Sequence, residues 1–131
     1  YTTLFRSCYM NESGGPTKAL ADFYKIKGDH IIIAHDELDI PFQAIRVKFG
    51  GGDNGHNGLK SITSALGKAD YFRLRLGIGR PPGQQDPADF VLKPFSSAEK
   101  KSIDEFLITG GQAVESLVQF GLEKTQQNFN S

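Results

Sequence analysis

Gly50-Gly51-Gly52-Asp53-Asn54-Gly55-His56-Asn57-Gly58-Leu59-Lys60-Ser61 holds five glycines in its first nine positions, with one histidine and two asparagines between them. Glycine loses more backbone entropy on folding than any other residue and brings no side chain to a core. The run therefore predicts a backbone that must take φ > 0 or lie close against another group. On the way in, Ile45, Val47 and Phe49 alternate with Arg46 and Lys48, which reads as a half-buried strand with two cations on its second face. On the way out, Leu59, Ile62 and Leu66 mark a helix closed by Gly67. A strand feeding a glycine loop that opens a helix is an α/β unit. The first N–H groups of that helix lack intrahelical partners and carry partial positive charge, so they suit an anion.

Working outward, the same grammar continues. Upstream, Pro16 suits a first helical turn, and Ala19, Leu20, Phe23 and Tyr24 recur at helical spacing up to a stop at Gly28. Ile31-Ile32-Ile33-Ala34 is short, apolar and β-branched, a strand expected to be buried on both faces, and His35-Asp36-Glu37-Leu38-Asp39 follows at its carboxyl end. Chemistry in open α/β sheets sits beyond the carboxyl ends of strands, so that cluster is well placed for a site. Downstream, Phe72, Leu74, Leu76 and Ile78 alternate with Arg73, Arg75, Gly77 and Gly79, a strand with a basic face. Arg80 to Pro87 is rich in Gly, Pro and Gln and reads as a mobile loop. Ser96-Ser97-Ala98-Glu99 has the form of a capping box, and Ile103, Phe106, Leu107, Val114, Leu117 and Val118 give a long amphipathic helix ending near Gly121. Alternating strands and helices imply an α/β class with helices covering a sheet. Three strands are few for a chain of 131 residues, and the first arrives only at residue 31, which suggests that something is missing upstream.

Composition narrows the function classes. At 38% hydrophobic residues the chain can bury one core, so one domain is expected. Fifteen basic and fifteen acidic residues cancel, so a nucleic-acid partner must be read from a local patch rather than from net charge. The single cysteine, Cys8, excludes an intramolecular disulfide framework and any cysteine-paired metal motif, and favours a reducing compartment. No apolar run approaches a membrane span and no signal segment opens the chain, so a soluble protein is expected.

Four constellations carry chemistry. The glycine loop and its helix suggest a phosphate cradle, but Gly58-Leu59-Lys60-Ser61 matches neither the P-loop nor the dinucleotide fingerprint. His35, Asp36, Glu37 and Asp39 offer oxygens for a hard cation, against the plainer reading of a polar strand end whose neighbours point to opposite sides. His56 and Asn57 bring a proton-transfer group and an amide that both donates and accepts, set in a loop, where binding residues concentrate. Arg46, Lys48, Arg73 and Arg75 lie on the polar side of two strands; should those strands be neighbours, the cations form a patch suited to phosphates, and otherwise they line a solvated sheet face.

Taken together, Tyr9-Met10-Asn11-Glu12-Ser13-Gly14, Ala34-His35-Asp36-Glu37-Leu38-Asp39, the glycine stretch through Lys60, and Phe72-Arg73-Leu74-Arg75-Leu76-Gly77-Ile78-Gly79-Arg80-Pro81 resemble the bacterial-type peptidyl-tRNA hydrolase family, in one order and over about residues 8 to 131. The resemblance implies a three-layer α/β/α globule with a central mixed sheet, acting in the cytoplasm as a monomer on peptidyl-tRNA, with no metal and no organic cofactor. It implies hydrolysis of the ester joining a peptide to the 3′ end of tRNA. By motif, Asn11 and Asn57 resemble the amides that hold the peptide and the terminal adenosine, with Tyr9 and Met10 lining the same cleft and His56 in a positioning role. Asp36 resembles the carboxylate that orients a catalytic histidine, since a carboxylate beside an imidazole fixes its tautomer and stabilises its protonated form. Lys48 and Arg75 resemble the pair that clamps the tRNA 5′ phosphate, with Arg46 nearby.

The family's general base sits in an N-terminal Thr-Arg-His-Asn type motif, and none of His30, His35 and His56 has that context. Family members carry Pro-Thr-Thr where this chain has Arg6-Ser7-Cys8. The expectation is a foreign leader at residues 1–7 joined to the C-terminal two thirds of a hydrolase-like domain at 8–131. Weak tRNA binding, little hydrolysis and an exposed strand edge would follow. Two alternatives stand beside the hydrolase: a non-catalytic RNA-binding relative of the kind that serves organellar RNA splicing, and a nucleotide-binding domain.

Overall fold

The computed structural model describes residues 9–80 and 94–130. The leader at residues 1–7, Cys8 and the loop expected beyond Arg80 lie outside the described residues. The chain forms two units, Tyr1–Ile31 with Gly50–Tyr71, and Ile32–Phe49 with Phe72–Ser131.

The second unit is built on a three-stranded mixed sheet. Its strands are β1 (Ile32–Glu37), β2 (Ile45–Phe49) and β3 (Phe72–Gly77), in the order β1-β3-β2. β1 runs parallel to β3 and β2 antiparallel to it, with Asp36 beside Leu76 and Val47 beside Leu74. One face carries Ile45, Val47 and Leu74 against two helices, α3 (Ser97–Phe120) and α4 (Leu122–Phe129). The α/β class is as the alternation predicts, and the mixed sheet is as the resemblance implies. The capping box is present: Ser96 Oγ accepts from the Glu99 N–H, and the Glu99 carboxylate accepts from the Ser96 N–H.

Two expectations in this unit are corrected. The strand at residues 31–34 is not buried on both faces: β1 begins at Ile32, runs through the ionisable cluster to Glu37, and leaves Ala34 exposed. The cause is its place in the sheet, since among the described residues β1 pairs with β3 alone. The buried stripe of α3 is Phe106, Gly110, Ala113 and Leu117, while Leu107 and Val118 face outward. Small residues at the contact bring the helix close to the sheet, with a Cβ at Gly110 only 3.6 Å from Leu76 Cδ2. Phe106 and Leu117, with Ile103 and Val114 packed against the core, are as the hydrophobic pattern predicts, while Gly110, Ala113 and Ser116 complete the buried stripe at positions that such a pattern passes over.

The first unit holds a 3-10 turn (Met10–Glu12), α1 (Gly14–Phe23), a second 3-10 turn (Gly28–His30), the glycine loop and α2 (Asn57–Leu66). Ala21, Leu59, Ile62 and Tyr71 are its buried residues of apolar body, and the Tyr71 hydroxyl meets Thr63 Oγ1 at 2.9 Å. α1 stops earlier than the glycine at position 28 suggests. Lys25 takes φ 54°, the Ile26 N–H reaches Ala21 O at 2.8 Å, and the Lys25 N–H reaches Asp22 O at 3.2 Å. That is a Schellman ending with lysine where glycine is usual. Gly28 serves packing instead, because a Cβ there would meet the Asp70 carbonyl.

Candidate functional site

In the first unit, a shallow open cleft of ≈ 660 Å³ is lined by Asn11, Asn57, Lys60, Ser61, Ser64 and Ala65. Asn57 opens α2, and the residues three, four, seven and eight positions on share its helical face. Asn11, on the 3-10 turn, is brought to the same cleft, so the two predicted amides line one wall. Two close approaches fix that placement. The Gly14 N–H donates to Ser61 Oγ at 2.9 Å, and a Cβ on Gly14 would run into the Ser61 carbonyl. A Cβ on Gly58 would lie 2.7 Å from Met10 Cε and 2.8 Å from His56 Cε1. Met10 is thereby seated over the start of α2, whereas Tyr9 is largely exposed.

The glycine run has the two uses its composition predicts. Gly50, Gly51 and Gly55 take φ of 70°, 99° and 76°, and Gly58 serves close packing. A Cβ on Gly52 would meet nothing within 4 Å. His56 is the N-cap of α2: its Nδ1 accepts the Leu59 N–H at 3.2 Å. In a neutral imidazole an acceptor Nδ1 leaves the ring proton on Nε2, which makes that nitrogen a donor. The cap also satisfies one of the helix's first N–H groups, so that end is not wholly open to an anion.

In the second unit, strand pairing sorts the predicted residues by face. Arg46 lies opposite Arg75 and Lys48 opposite Arg73, so the four cations do share one face. Arg73, however, is fully buried, and the solvent-reaching patch is Arg46, Lys48 and Arg75. The Arg73 side chain belongs to the interior because β3 is the central strand. Like charges opposite one another on a sheet repel. Burial, then Arg75, then Arg73 push the Lys48 amine below its ordinary value, with Glu37 acting in the other direction.

Glu37 was not singled out by sequence for this face, although strand alternation puts it beside the cations. Its buried carboxylate lies 3.6 Å from Arg75 Nη2 and 3.9 Å from His35 Nδ1. The buried His35 donates from Nδ1 to the Asp36 carbonyl at 2.8 Å. Asp36 alternates with these two and is half-buried on the apolar face, beside Leu76. The structure therefore does not gather Asp36 with Lys48, Arg75 and Arg46. Among the described residues no group of three or more His, Cys, Asp or Glu is placed to hold a metal ion. Beyond β3, Arg80 Nε donates to Asp39 at 2.6 Å, a bond that holds the guanidinium above its ordinary value. No helix of the described residues is long and apolar enough to cross a membrane.

Comparison with known proteins bears on the whole. A peptidyl-tRNA hydrolase from Streptomyces coelicolor is 58% identical over 123 residues, spanning 94% of this chain and 61% of the relative. One from Kineococcus radiotolerans is 54% identical, over 94% of this chain and 62% of its own. The solved structure of peptidyl-tRNA hydrolase from Acinetobacter baumannii superposes with a TM-score of 0.82 at 36% identity, covering 94% of this chain and 62% of that one. The chain thus spans about three fifths of the length of the relatives it matches. The family model described as peptidyl-tRNA hydrolase matches residues 3–131, on the same residues that carry the cleft and the cationic sheet face, and the chain belongs to that family.

Proposed function

We propose that the protein acts on peptidyl-tRNA in the cytoplasm, hydrolysing the ester between the peptide and the 3′ end of the tRNA. The observation that carries the reading is the cleft in which Asn11 and Asn57, far apart in sequence, stand together. An amide offers both a donor and acceptors, which suits a peptide backbone and a nucleotide edge alike. Lys60, Ser61 and Ser64 extend the polar wall. In the second unit Arg46, Lys48 and Arg75 supply charge for phosphate, with Lys48 and Arg75 as the clamp on the 5′ phosphate. Asp36 serves as the carboxylate that orients a catalytic imidazole, His56 positions the start of α2, and Tyr9 and Met10 border the amide cleft.

None of the three histidines is set as the general base. His30 is exposed beside Asp29, His35 is buried with Nδ1 committed to a carbonyl, and His56 commits Nδ1 to the helix cap. A base that activates water needs an accessible acceptor nitrogen near the ester carbon. The chain's own contribution is therefore substrate holding. The relatives and solved structures that match bear the hydrolase name, so the non-catalytic splicing relative is not favoured.

The test is an assay on N-acetyl-aminoacyl-tRNA. The chain alone should bind it with steep salt dependence and release little product. Joining it to the part of the Streptomyces coelicolor relative that lies outside the match should restore hydrolysis, and Asn57→Ala in the joined protein should remove most of it. Turnover by the chain alone at a rate near that of the complete relative would overturn the assignment of substrate holding without a base. A joined protein that folds but leaves the ester intact would overturn the function itself.

A further inference from the structure

We propose that Gln126 and Asn130, at the end of α4, are positioning residues for the phosphate clamp on β2, an inference that rests on the functional reading above. The argument begins with strand geometry. Alternate residues of an antiparallel strand direct their peptide groups toward one neighbour and then the other. Ala44 O and the Gly50 N–H turn inward, accepting from Gly77 and donating to Tyr71, so the even positions of β2 face their partner. Val47 then presents its N–H and C=O to the outer edge, midway between Arg46 and Lys48.

Both groups are met by side-chain amides. The Val47 N–H donates to Asn130 Oδ1 at 2.8 Å, and Gln126 Nε2 donates to the Val47 carbonyl at 3.0 Å. Asn130 also bridges to Ile45 in a parallel sense. Two side chains one helical turn apart thus act as a fourth strand one residue long. They hold the Val47 peptide flat while its side chain sits in the core at 1% exposure. With Val47 pinned on both sides, the two flanking residues must project to the opposite face in fixed register. Arg46 and Lys48 are those residues, and each repels its cross-strand neighbour, so without an edge restraint the charges favour fraying of β2.

The chemistry of the two amides gives a test that separates hydrogen bonding from charge. Asn130→Asp keeps an acceptor for the Val47 N–H, whereas Gln126→Glu loses the donor and faces a carbonyl with a carboxylate. Each change adds the same negative charge to the same edge. The measurement is the preference of the full chain for tRNA with a 5′ phosphate over dephosphorylated tRNA, together with amide hydrogen exchange at Val47. Gln126→Glu and Asn130→Leu should each lower the preference about fivefold, the size of one lost hydrogen bond, and speed exchange at Val47. Asn130→Asp should retain both. Equal losses in Asn130→Asp and Gln126→Glu would mean charge alone acts and would overturn the inference, as would unchanged preference in Gln126→Glu. Lys48→Ala separates the levels. Should it leave the preference intact, the clamp reading fails; should it abolish the preference while Gln126→Glu does not alter it, only the positioning role fails. Faster Val47 exchange with intact preference also counts against the inference, because it would reduce the amides to a stabilising edge cover.

Discussion

The first unit presents neutral amides and hydroxyls along one face of α2, seated by backbone contacts too close for a Cβ, whereas the second presents cations along a sheet face, seated by the alternation of two paired strands. The cleft along Asn57, Lys60, Ser61 and Ser64 depends on how the segment from Met10 to Gly14 docks on α2, through the close approaches of Met10 to Gly58 and of Gly14 to Ser61. A face of Arg46, Lys48 and Arg75 depends on strand register and on the edge amides that hold Val47, and its members act on one another through charge. The first unit should therefore be sensitive to a single methyl group, and the second to a single charge.

The widest gap should appear between two adjacent glycines of α1. Gly14→Ala drives a methyl into the Ser61 backbone and should destabilise the chain by about 3 kcal/mol, the upper range for overpacking. Gly15 has nothing within 4 Å of an added Cβ. In a helix, Gly15→Ala should then stabilise by up to about 1 kcal/mol. Denaturant melts of the two variants check this directly. Similar midpoints for both would dissolve the claim that the first unit is held by close approach.

A smaller effect is expected at the N-cap of α2. His56→Ala removes the acceptor for Leu59 N–H and should destabilise by about 1 kcal/mol, while His56→Asn keeps a good capping acceptor and should stay within a few tenths. Leu59 amide exchange localises the change. If His56→Asn lost as much as His56→Ala, the imidazole would be needed for something other than the cap, and its place in the cleft would have to be reconsidered.

The same contrast decides what could be read from sequence. β2, β3 and their shared cations were legible because alternation is local and needs no partner to be seen. The capping box was legible for the same reason, since Ser96 and Glu99 carry both halves of it. What escaped depends on contacts made across the chain. Arg73 looks like one more surface cation until the sheet order makes β3 central. The end of α1 was hidden because Lys25, not glycine, takes the left-handed position. Glu37 was visible as a residue but not as the partner of Arg75, because that pairing needs the β1-β3 register. In the cleft, Asn11 and Asn57 could be named from the resemblance, yet Ser61, which seats Gly14, carries no pattern of its own.

The second unit's dependence on charge has its finest test at Lys48. Its amine is lowered from 10.5 first by burial and then by Arg75 and Arg73, with Glu37 opposing. In the window between that lowered value and 10.5, the unfolded chain binds the proton and the folded chain has lost it. Stability should rise as pH rises through this window, the direction given whenever the unfolded state holds more protons. A bound phosphate acts oppositely on the amine, raising its value, so phosphate affinity should fall as pH rises through the free-protein midpoint. Arg75→Gln isolates the electrostatic share. It removes the second-largest depressing cause and releases Glu37 from its ion pair, and both changes move the Lys48 midpoint upward. The midpoint should still stop short of 10.5, because burial, the largest cause, is untouched. Titration followed at the Lys48 Cε carbon by NMR reads the shift. A midpoint that stays put in Arg75→Gln would mean that the cations opposite one another on the sheet do not feel each other, and the second unit would then be as purely steric as the first.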